Sequence, residues 1–431
     1  MQRTAMKKLK EWKTKRNRKP LILKGARQVG KTWLMKQFGA DCFKSVAYVN
    51  FDSDIRMRQI FEDDYDISRI LRMINIETGV KIQPEETLII FDEVQEAPKA
   101  ISSLKYFCEN APEYAVIAAG SLLGVAIHEG VSFPVGKVET MEIHPMSYHE
   151  FLLAMGEESL AELLEEKAYT IIRTFADRYI HWLKLYYYIG GMPEAVNDYA
   201  ENGDITSVRE IQKQILELYE QDFSKHTPDT ELARLRMVWN SVPLQLAKEN
   251  KKFFFGHLKQ GARAKDFELA FEWLLDCGLI GKVYRVEKPA VPLKAYIDFS
   301  AFKIYLLDVG LLGAMSDLDA RTILEGNQLF TEFKGALTEQ YVYQQIIAET
   351  EYTPYYFSAN SHTEIDFLIQ KEGNVAPVEI KAEENVKAKS LQAYCKKYQP
   401  PYAVRTSMTD YREEDWMVNL PLYAIDQIAR I

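Results

Sequence analysis

The stretch LKGARQVGKTWL, residues Leu23 to Leu34, determines how the N-terminal part of the chain folds. Its segment from Gly25 to Thr32 fits the pattern G-x-x-x-x-G-K-[ST] in full. A short apolar run from Pro20 to Leu23 precedes it and predicts a buried strand, and Leu34 and Phe38 follow at helical spacing. The order strand, glycine loop, helix is the context in which this pattern holds phosphate groups.

The residue types of the loop suit a nucleotide triphosphate. Glycines let backbone amides curl around phosphate oxygens, and the start of the following helix adds the positive end of its dipole. Lys31 would reach the β- and γ-phosphates, and Thr32 would offer a hydroxyl to Mg²⁺. The predicted nucleotide-binding residues are Gly25, Ala26, Arg27, Gln28, Val29, Gly30, Lys31, Thr32, Trp33 and Ser121.

Two further apolar runs carry polar residues at their ends. The run from Thr87 to Phe91 predicts a strand that ends in Asp92 and Glu93. We expect Asp92 to hold Mg²⁺ together with Thr32, and Glu93 to polarise the attacking water. The run from Tyr114 to Ala119 predicts a third strand, after which Ser121 either senses the γ-phosphate or is a simple turn serine. The predicted cofactors are therefore ATP and Mg²⁺, with Lys31 and Glu93 as catalytic residues.

Bulk properties limit the remaining possibilities. A chain of 431 residues predicts two to four domains, and a net charge of −9 disfavours a surface that binds polyanions everywhere. The first 19 residues nevertheless hold nine Lys and Arg against one acid, which predicts either a solvated helix face or a local phosphate contact. Four scattered cysteines, no apolar leader and no run long enough to span a bilayer predict a cytoplasmic protein with no membrane association.

Several stretches together resemble a bacterial and archaeal family of AAA+ ATPases that carry a C-terminal domain of unknown function. They are GARQVGKTWL, LIIFDEVQEAP, AAGSLLG, HPMSYHEFL, YYYIGGMPEAV, LKAYIDFSAFKIYLLDVGLLGAM, FKGALTEQYVYQQI, EIDFL and VEIKA. The resemblance extends over nearly the whole chain, in order, and implies an AAA+ core followed by a helical cap. One departure is Lys137 after Gly136, where the family commonly has an arginine, so an arginine-finger role at this position is in doubt.

The middle of the chain is predicted to be helical from Leu152 to Glu220, with a break at Gly190-Gly191. Three tyrosines before the break, Tyr186 to Tyr188, are expected to pack in a core. Residues 230–300 follow the order helix, helix, hairpin, which is typical of a winged helix. The second of these helices is apolar and acidic, which favours protein packing, whereas Lys251, Lys252, Lys259, Arg263 and Lys265 before it favour DNA.

The C-terminal hundred residues predict the order αβββαβ. The helix spans Thr331 to Ala348, the three strands are Tyr355–Phe357, Thr363–Ile369 and Val375–Ile380, and a helix from Val386 to Lys397 and a strand from Tyr402 to Arg405 follow. With its D…ExK pattern this unit resembles the PD-(D/E)xK nuclease superfamily. That resemblance implies catalytic roles for Asp366, Glu379 and Lys381, and Mg²⁺ binding by Asp366 and Glu379, with Glu339 completing the acidic pocket. A buried salt-bridge cluster is the alternative.

The sequence thus predicts an α/β protein with a parallel-sheet P-loop AAA+ core, a helical and winged-helix middle, and a restriction-endonuclease-like end. The predicted divisions are 1–150, 151–228, 229–325 and 326–431. The expected function is Mg²⁺-dependent ATP binding and hydrolysis, with an action on DNA through the nuclease-like domain. The alternative is a nucleotide-gated signalling switch whose C-terminal domain binds a protein partner. A homo-oligomer is a further candidate assembly.

Overall fold

The computed structural model describes residues 2–121, 133–248, 252–325, 331–359, 363–382 and 388–430. The chain divides into two compact units, Gln2–His144 with Asp276–Leu279, and Pro145–Leu275 with Ile280–Ile431. Each unit has its own β-sheet. Among the helices of these residues, none is both long and apolar enough to cross a bilayer.

The first unit is organised around a parallel five-stranded sheet with the strand order β2-β3-β4-β1-β5. Its strands are β1 (Leu21–Lys24), β2 (Ser45–Asn50), β3 (Thr87–Asp92), β4 (Ala115–Ala119) and β5 (Glu139–Glu142). Its helices are α1 (Ala5–Thr14), α2 (Lys31–Cys42), α3 (Ile55–Gln59), α4 (Ile67–Thr78) and α5 (Pro98–Asn110). β3 and β4 are buried along their whole length, as expected in a parallel sheet with both faces covered. The predicted α/β core is confirmed.

Helix α1 carries four of the nine basic residues at the start of the chain. Its apolar residues Leu9 and Trp12 are buried, while Lys7, Lys8 and Lys10 are exposed. These lysines form an exposed helix face, as the first of the two predicted alternatives requires, and a phosphate contact stays a prediction. Arg3, which precedes the helix, is instead buried.

The second unit begins with a series of helices. They are α6 (Tyr148–Ala154), α7 (Glu158–Glu165), α8 (Tyr169–Ile172), α9 (Ala176–Ile189), α10 (Pro193–Asn202), α11 (Ile205–His226), α12 (Asp229–Leu246) and α13 (Glu268–Asp276). α9 ends at Ile189 because Gly190 adopts a positive φ of 76°, so the predicted break is confirmed. Tyr186, Tyr187 and Tyr188 are all buried, which confirms their role in packing.

The glycine pair after α9 is held by a buried carboxylate. Asp308 accepts hydrogen bonds from the backbone N–H groups of Gly191 (2.6 Å) and Leu311 (3.0 Å) and from Nε2 of Gln344 (3.1 Å). A Cβ at Gly190 would collide with the Asp308 carboxylate, and one at Gly191 would collide with a backbone carbonyl. The GGMPEAV and LLDVGLLG stretches are therefore tied together as a structural contact.

The second sheet has eight strands in the order β12-β13-β11-β10-β9-β8-β6-β7. They are β6 (Ile280–Val286), β7 (Ile297–Leu306), β8 (Tyr355–Ala359), β9 (Thr363–Lys371), β10 (Asn374–Ile380), β11 (Val404–Ser407), β12 (Arg412–Glu414) and β13 (Met417–Pro421). The remaining helices are α14 (Val309–Met315), α15 (Ala320–Glu325), α16 (Thr331–Glu349) and α17 (Lys389–Tyr398), and Leu422–Arg430 forms 3₁₀ turns. The hairpin of β6 and β7 joins the C-terminal strands through a parallel contact of β6 with β8.

The local order α16-β8-β9-β10-α17-β11 matches the predicted αβββαβ order. The last strand begins at Val404 and not at Tyr402, because pairing with Val378 and Val418 starts only there. β12 and β13 were not predicted. Val386, where the last helix was expected to begin, lies outside the described residues, and the divisions at residues 150, 228 and 325 stay predictions.

Candidate functional site

The phosphate loop lies between β1 and α2. Gly25 and Gly30 have positive φ values of 138° and 89°, and Gln28 has one of 68°. Gly30 is the residue before α2, and among the described residues no side chain caps this helix end. The first amides of α2 are therefore left for an anion, which the positive end of the helix dipole also attracts.

Two contacts fix the backbone of this loop. A Cβ on Gly25 would collide with the carbonyl of Ile143, so only glycine fits there. The guanidinium of Arg3 donates to the carbonyl oxygens of Val29 (3.0 Å) and His144 (2.7 Å). Since the Val29 carbonyl and the Gly30 amide belong to one planar peptide, Arg3 also fixes the direction of that N–H.

Lys31 is buried at the start of α2. Its Nζ donates to the carbonyl oxygens of Gly25 (2.9 Å) and Ala26 (2.7 Å). Burial lowers the pKa of Lys31 to about 8, and the negative charges of Glu93 and Asp92 offset only part of this effect. A phosphate anion would supply the compensating charge that the ammonium lacks.

Thr32 and Asp92 meet as the predicted magnesium site requires. The Thr32 hydroxyl donates to Oδ2 of Asp92 at 2.8 Å, and the Tyr48 hydroxyl donates to the same oxygen, also at 2.8 Å. A hydroxyl and a carboxylate are hard oxygen ligands of the kind that Mg²⁺ prefers, beside substrate phosphates. The donor set therefore fits this ion. Tyr48 was not foreseen, and burial raises its pKa to about 12.

Glu93 and Ser121 lie at the same edge of the sheet. Glu93 has a positive φ of 50°, and its Oε2 accepts from Nε2 of Gln95 at 2.6 Å. Ser121 follows β4, which lies between β3 and β1, and its buried Oγ has no hydrogen-bond partner within the described ranges. A buried hydroxyl in this state is available to a ligand. Trp33, by contrast, is 42% exposed, and Lys137 forms an ion pair with Glu109 at 2.8 Å.

The acidic residues predicted in the C-terminal part accept hydrogen bonds from groups of the second unit. Glu339 on α16 binds Nζ of Lys303 at 3.2 Å and accepts from the hydroxyl of Tyr305. Asp366 on β9 accepts from the backbone N–H of Ile380 at 2.8 Å.

Glu379 on β10 pairs with Lys381 at 2.8 Å and accepts from the N–H of Leu391 at 3.3 Å. In the described part of the chain, no three His, Cys, Asp or Glu side chains form a group that could hold a metal ion. The metal-binding and catalytic roles of Asp366, Glu379 and Glu339 therefore stay predictions.

Lys303 occupies the middle of this acidic region. Its Nζ lies 2.9 Å from Glu364 as well as 3.2 Å from Glu339. Burial opposes the charge of Lys303, but Glu339, Glu364 and Asp366 outweigh it and raise the pKa of the ammonium. The sequence carried a signal for this residue, since Lys303 is the one charged side chain in the apolar run AFKIYLL, but no partner could be assigned.

Three family models match separate parts of the chain. Residues 17–152 match "AAA domain", residues 180–322 match "Domain of unknown function (DUF8612)", and residues 334–425 match "Domain of unknown function (DUF4143)". The first match covers the loop, Asp92, Glu93 and Ser121. The N-terminal part of the chain is therefore similar to an AAA domain. The other two descriptions leave the predicted winged helix and nuclease-like domain as proposals.

Solved structures similar to this chain include a Walker-type ATPase of Pyrococcus abyssi, with 14% sequence identity and a TM-score of 0.45 over 72% of this chain and 94% of that chain. The ORC2 protein of Aeropyrum pernix, in ADPNP-ADP complexes, gives 14% identity and a TM-score of 0.34 over 71% and 86%. The ORC1 protein of the same organism, in complex with DNA, gives 13% and 0.27 over 72% and 91%. No curated protein matches the sequence.

Proposed function

We propose that this protein is a Mg²⁺-dependent ATPase whose N-terminal domain binds and hydrolyses ATP. The observation that carries this proposal is the 2.8 Å hydrogen bond between Thr32 and Asp92. It places a hydroxyl and a carboxylate together beside the loop that ends in Lys31. The loop amides would bind phosphate oxygens, and the charge of Lys31 would act on the β- and γ-phosphates.

The remaining residues divide the chemistry of hydrolysis. Thr32 and Asp92 would hold Mg²⁺, which when bound neutralises charge on the phosphate oxygens. Glu93 would orient the attacking water and accept its proton, after release from Gln95. The Ser121 hydroxyl would contact the γ-phosphate. Because Lys137 is paired with Glu109, an arginine for the transition state would come from a second copy of the chain in a homo-oligomer.

ATP turnover of Lys31→Ala tests this assignment. We expect a loss on the order of a hundredfold or more, because the buried cation beside the phosphates is removed. Lys44→Ala is the matched control, since Lys44 lies in the same unit with a side chain that is 75% exposed. Unchanged turnover in Lys31→Ala would remove this loop as the catalytic site.

The proposed target of the ATPase is DNA, reached through the second unit. Lys252, Lys259, Arg263 and Lys265 are exposed in the segment before α13, and Phe254 beside them is 60% exposed. Basic side chains next to an exposed aromatic ring suit a nucleic-acid backbone and its bases. The triple substitution Lys259→Glu, Arg263→Glu and Lys265→Glu should weaken the binding of labelled single- or double-stranded DNA and flatten its salt dependence. If the triple variant and the wild type bind DNA with equal affinity and equal salt dependence, this segment does not contact DNA.

A protein-binding switch is the second candidate, and the exposed face of α13 favours it. Glu268, Leu269 and Glu272 are all exposed there, and the carboxylates would repel a phosphate backbone. Mg²⁺-dependent cleavage of labelled DNA, with and without ATP, separates the candidates when wild type is compared with Asp366→Ala. Cleavage that is lost in the variant supports a nuclease. If the protein hydrolyses ATP but neither cleaves nor binds DNA, the result supports the switch.

A further inference from the structure

Lys303 is buried in a position where a lone charge is costly. It lies on β7 between apolar neighbours, and its side chain is 1% exposed. Glu339, its partner on α16, is 2% exposed, and Glu364 on β9 is 38% exposed. The ammonium also lies 4.9 Å from the centre of the Tyr356 ring. One cation thus joins β7 to α16 and β9, and of its two carboxylate partners Glu364 is the more exposed.

Two of the three carboxylates around Lys303, those of Glu339 and Asp366, belong to the predicted metal pocket, and the third is that of Glu364. Glu339 was predicted to complete the pocket, and Asp366 acts electrostatically on Lys303. Glu339 Oε1 already accepts from both Lys303 and the hydroxyl of Tyr305. Asp366 Oδ2 already accepts from a backbone N–H of β10. Because these oxygens already accept hydrogen bonds from N–H and O–H groups, the residues present do not fit a divalent cation.

We infer that the Lys303 ammonium takes the place of a divalent metal ion in the C-terminal pocket, so that this pocket keeps its acidic residues together without Mg²⁺. The charges support this assignment. A divalent ion placed among Glu339, Glu364 and Asp366 would be repelled by an ammonium already in contact with two of them. Glu379 cannot compensate, because its carboxylate is bound by Lys381 and a backbone N–H.

If the proposed action on DNA is correct, a pocket occupied by Lys303 limits that action to binding, and this consequence rests on the proposed function. Cleavage of a phosphodiester in the predicted way needs a metal ion held by Asp366 and Glu379. With Lys303 in place, the second unit would hold DNA without cutting it. The ATPase assignment does not depend on this point, because its magnesium ligands lie in the first unit.

Binding of Mn²⁺ to the full chain tests the inference directly. Free Mn²⁺ is measured by electron paramagnetic resonance without nucleotide or DNA, and every protein carries Asp92→Asn to remove the predicted magnesium ligand of the ATP site. The protein with Asp92→Asn alone is expected to bind no Mn²⁺ in the pocket. Adding Lys303→Met should create a site in the pocket, so that the Mn²⁺ concentration at which half of the protein binds the ion falls at least about tenfold below the highest concentration at which the parent shows no binding. Adding Asp366→Asn to that protein should abolish the new site.

Two control proteins distinguish a loss of folding from a change in Mn²⁺ binding. Lys213→Met removes an exposed lysine of α11 and should gain no Mn²⁺ binding. Lys303→Met with Glu339→Gln removes both partners of the buried pair, and it should fold without binding the ion. If the protein with Lys303→Met does not fold, the Mn²⁺ binding of the protein with Asp92→Asn alone tests the inference, since the inference requires that its pocket binds no Mn²⁺.

Two results would overturn the inference. One is Mn²⁺ binding by the Asp92→Asn protein that disappears with Asp366→Asn or Glu379→Gln, because the pocket would then hold a metal beside Lys303. The other is a folded Lys303→Met protein that gains no binding. ATP turnover of the otherwise unchanged chain is measured in parallel, so that a failure of the ATPase proposal is recognised separately.

Discussion

The two units of the molecule each bury a lysine beside carboxylates, and the two ammonium groups have opposite pKa shifts. Burial lowers the pKa of Lys31 to about 8, whereas the carboxylates around Lys303 outweigh burial and raise its pKa. Lys31 bonds only to carbonyl oxygens in its hydrogen bonds at 2.7 and 2.9 Å. Lys303 forms ion pairs at 2.9 and 3.2 Å.

The difference indicates which lysine is prepared for a ligand. The charge of Lys31 is incompletely compensated inside the protein, so an incoming phosphate would improve its environment. The charge of Lys303 is compensated by residues of the chain itself. A buried lysine beside carboxylates is therefore insufficient to identify a catalytic site. Whether its charge is already compensated by its partners indicates whether it is available to a ligand.

The largest expected effect is on folding. Lys303→Met should lower the free energy of unfolding by about 3–5 kcal/mol, because it leaves the buried carboxylate of Glu339 without its cation. Lys31→Met should change it by no more than about 1–2 kcal/mol, since only hydrogen bonds to carbonyls are lost. Denaturant midpoints of the two variants give the comparison. Equal losses would mean that the two lysines do not differ as their contacts indicate.

The next effect is on catalysis. Glu93→Gln should lower ATP turnover by on the order of a hundredfold while nucleotide still binds, because an amide cannot accept the proton of the attacking water. Glu339→Gln, the corresponding change beside Lys303, should leave turnover of the folded protein unaltered. A steady-state ATPase assay with a fluorescent nucleotide titration measures both. Full turnover in Glu93→Gln would assign water activation to another residue.

A smaller effect is expected from pH. Phosphate binding needs the charged ammonium of Lys31, so nucleotide affinity should fall as pH rises through about 8. The fall should approach about tenfold per pH unit. Lys31→Arg keeps its charge in this range, and any affinity that it retains should not vary with pH.

Unfolding does not explain this expected loss of affinity. Lys31 has a pKa below its unfolded value of 10.5, so the unfolded chain binds the extra proton between about pH 8 and 10.5. The contribution of this group to folded-state stability therefore increases with pH in that window. An affinity that is constant from pH 7 to 9.5 would contradict the lowered pKa of Lys31.

The smallest effect concerns the neutral donors at Asp92. Tyr48→Phe removes one of the two hydroxyls bound to Oδ2 and leaves the Thr32 contact in place. The cost should be about 1 kcal/mol, which corresponds to a change of roughly fivefold in the Mg²⁺ concentration that half-saturates ATP turnover. Thr32→Val should have a greater effect, because it also removes a predicted magnesium ligand. Identical Mg²⁺ dependence in wild type and Tyr48→Phe would limit Tyr48 to packing.

The sequence predicted well wherever neighbouring residues determine the structure. The phosphate loop, the strand that ends at Asp92 and the buried tyrosines before Gly190 all depend on local pattern, and the structure confirms their placement. The contacts of Thr32 with Asp92 could also be anticipated, because parallel strands bring their carboxyl ends to one edge.

Contacts between distant segments could not be predicted in this way. Lys303 and Glu339 are 36 residues apart, and a lysine inside an apolar run does not indicate which carboxylate will face it. Tyr48 and Asp92 are 44 residues apart, and the hydroxyl of a strand tyrosine has many candidate partners. The joining of β6 to β8 likewise depends on the register of a sheet whose strands come from separate stretches.

The position of Arg3 affects how the domain can be divided for experiments. Its guanidinium binds the Val29 carbonyl from 26 residues earlier in the chain, whereas the AAA domain match begins at residue 17. A fragment that starts at the bounds of that match would contain every residue of the loop and yet lack the group that orients the Gly30 amide. Weak nucleotide binding by such a fragment would report the missing arginine, not the properties of the intact protein.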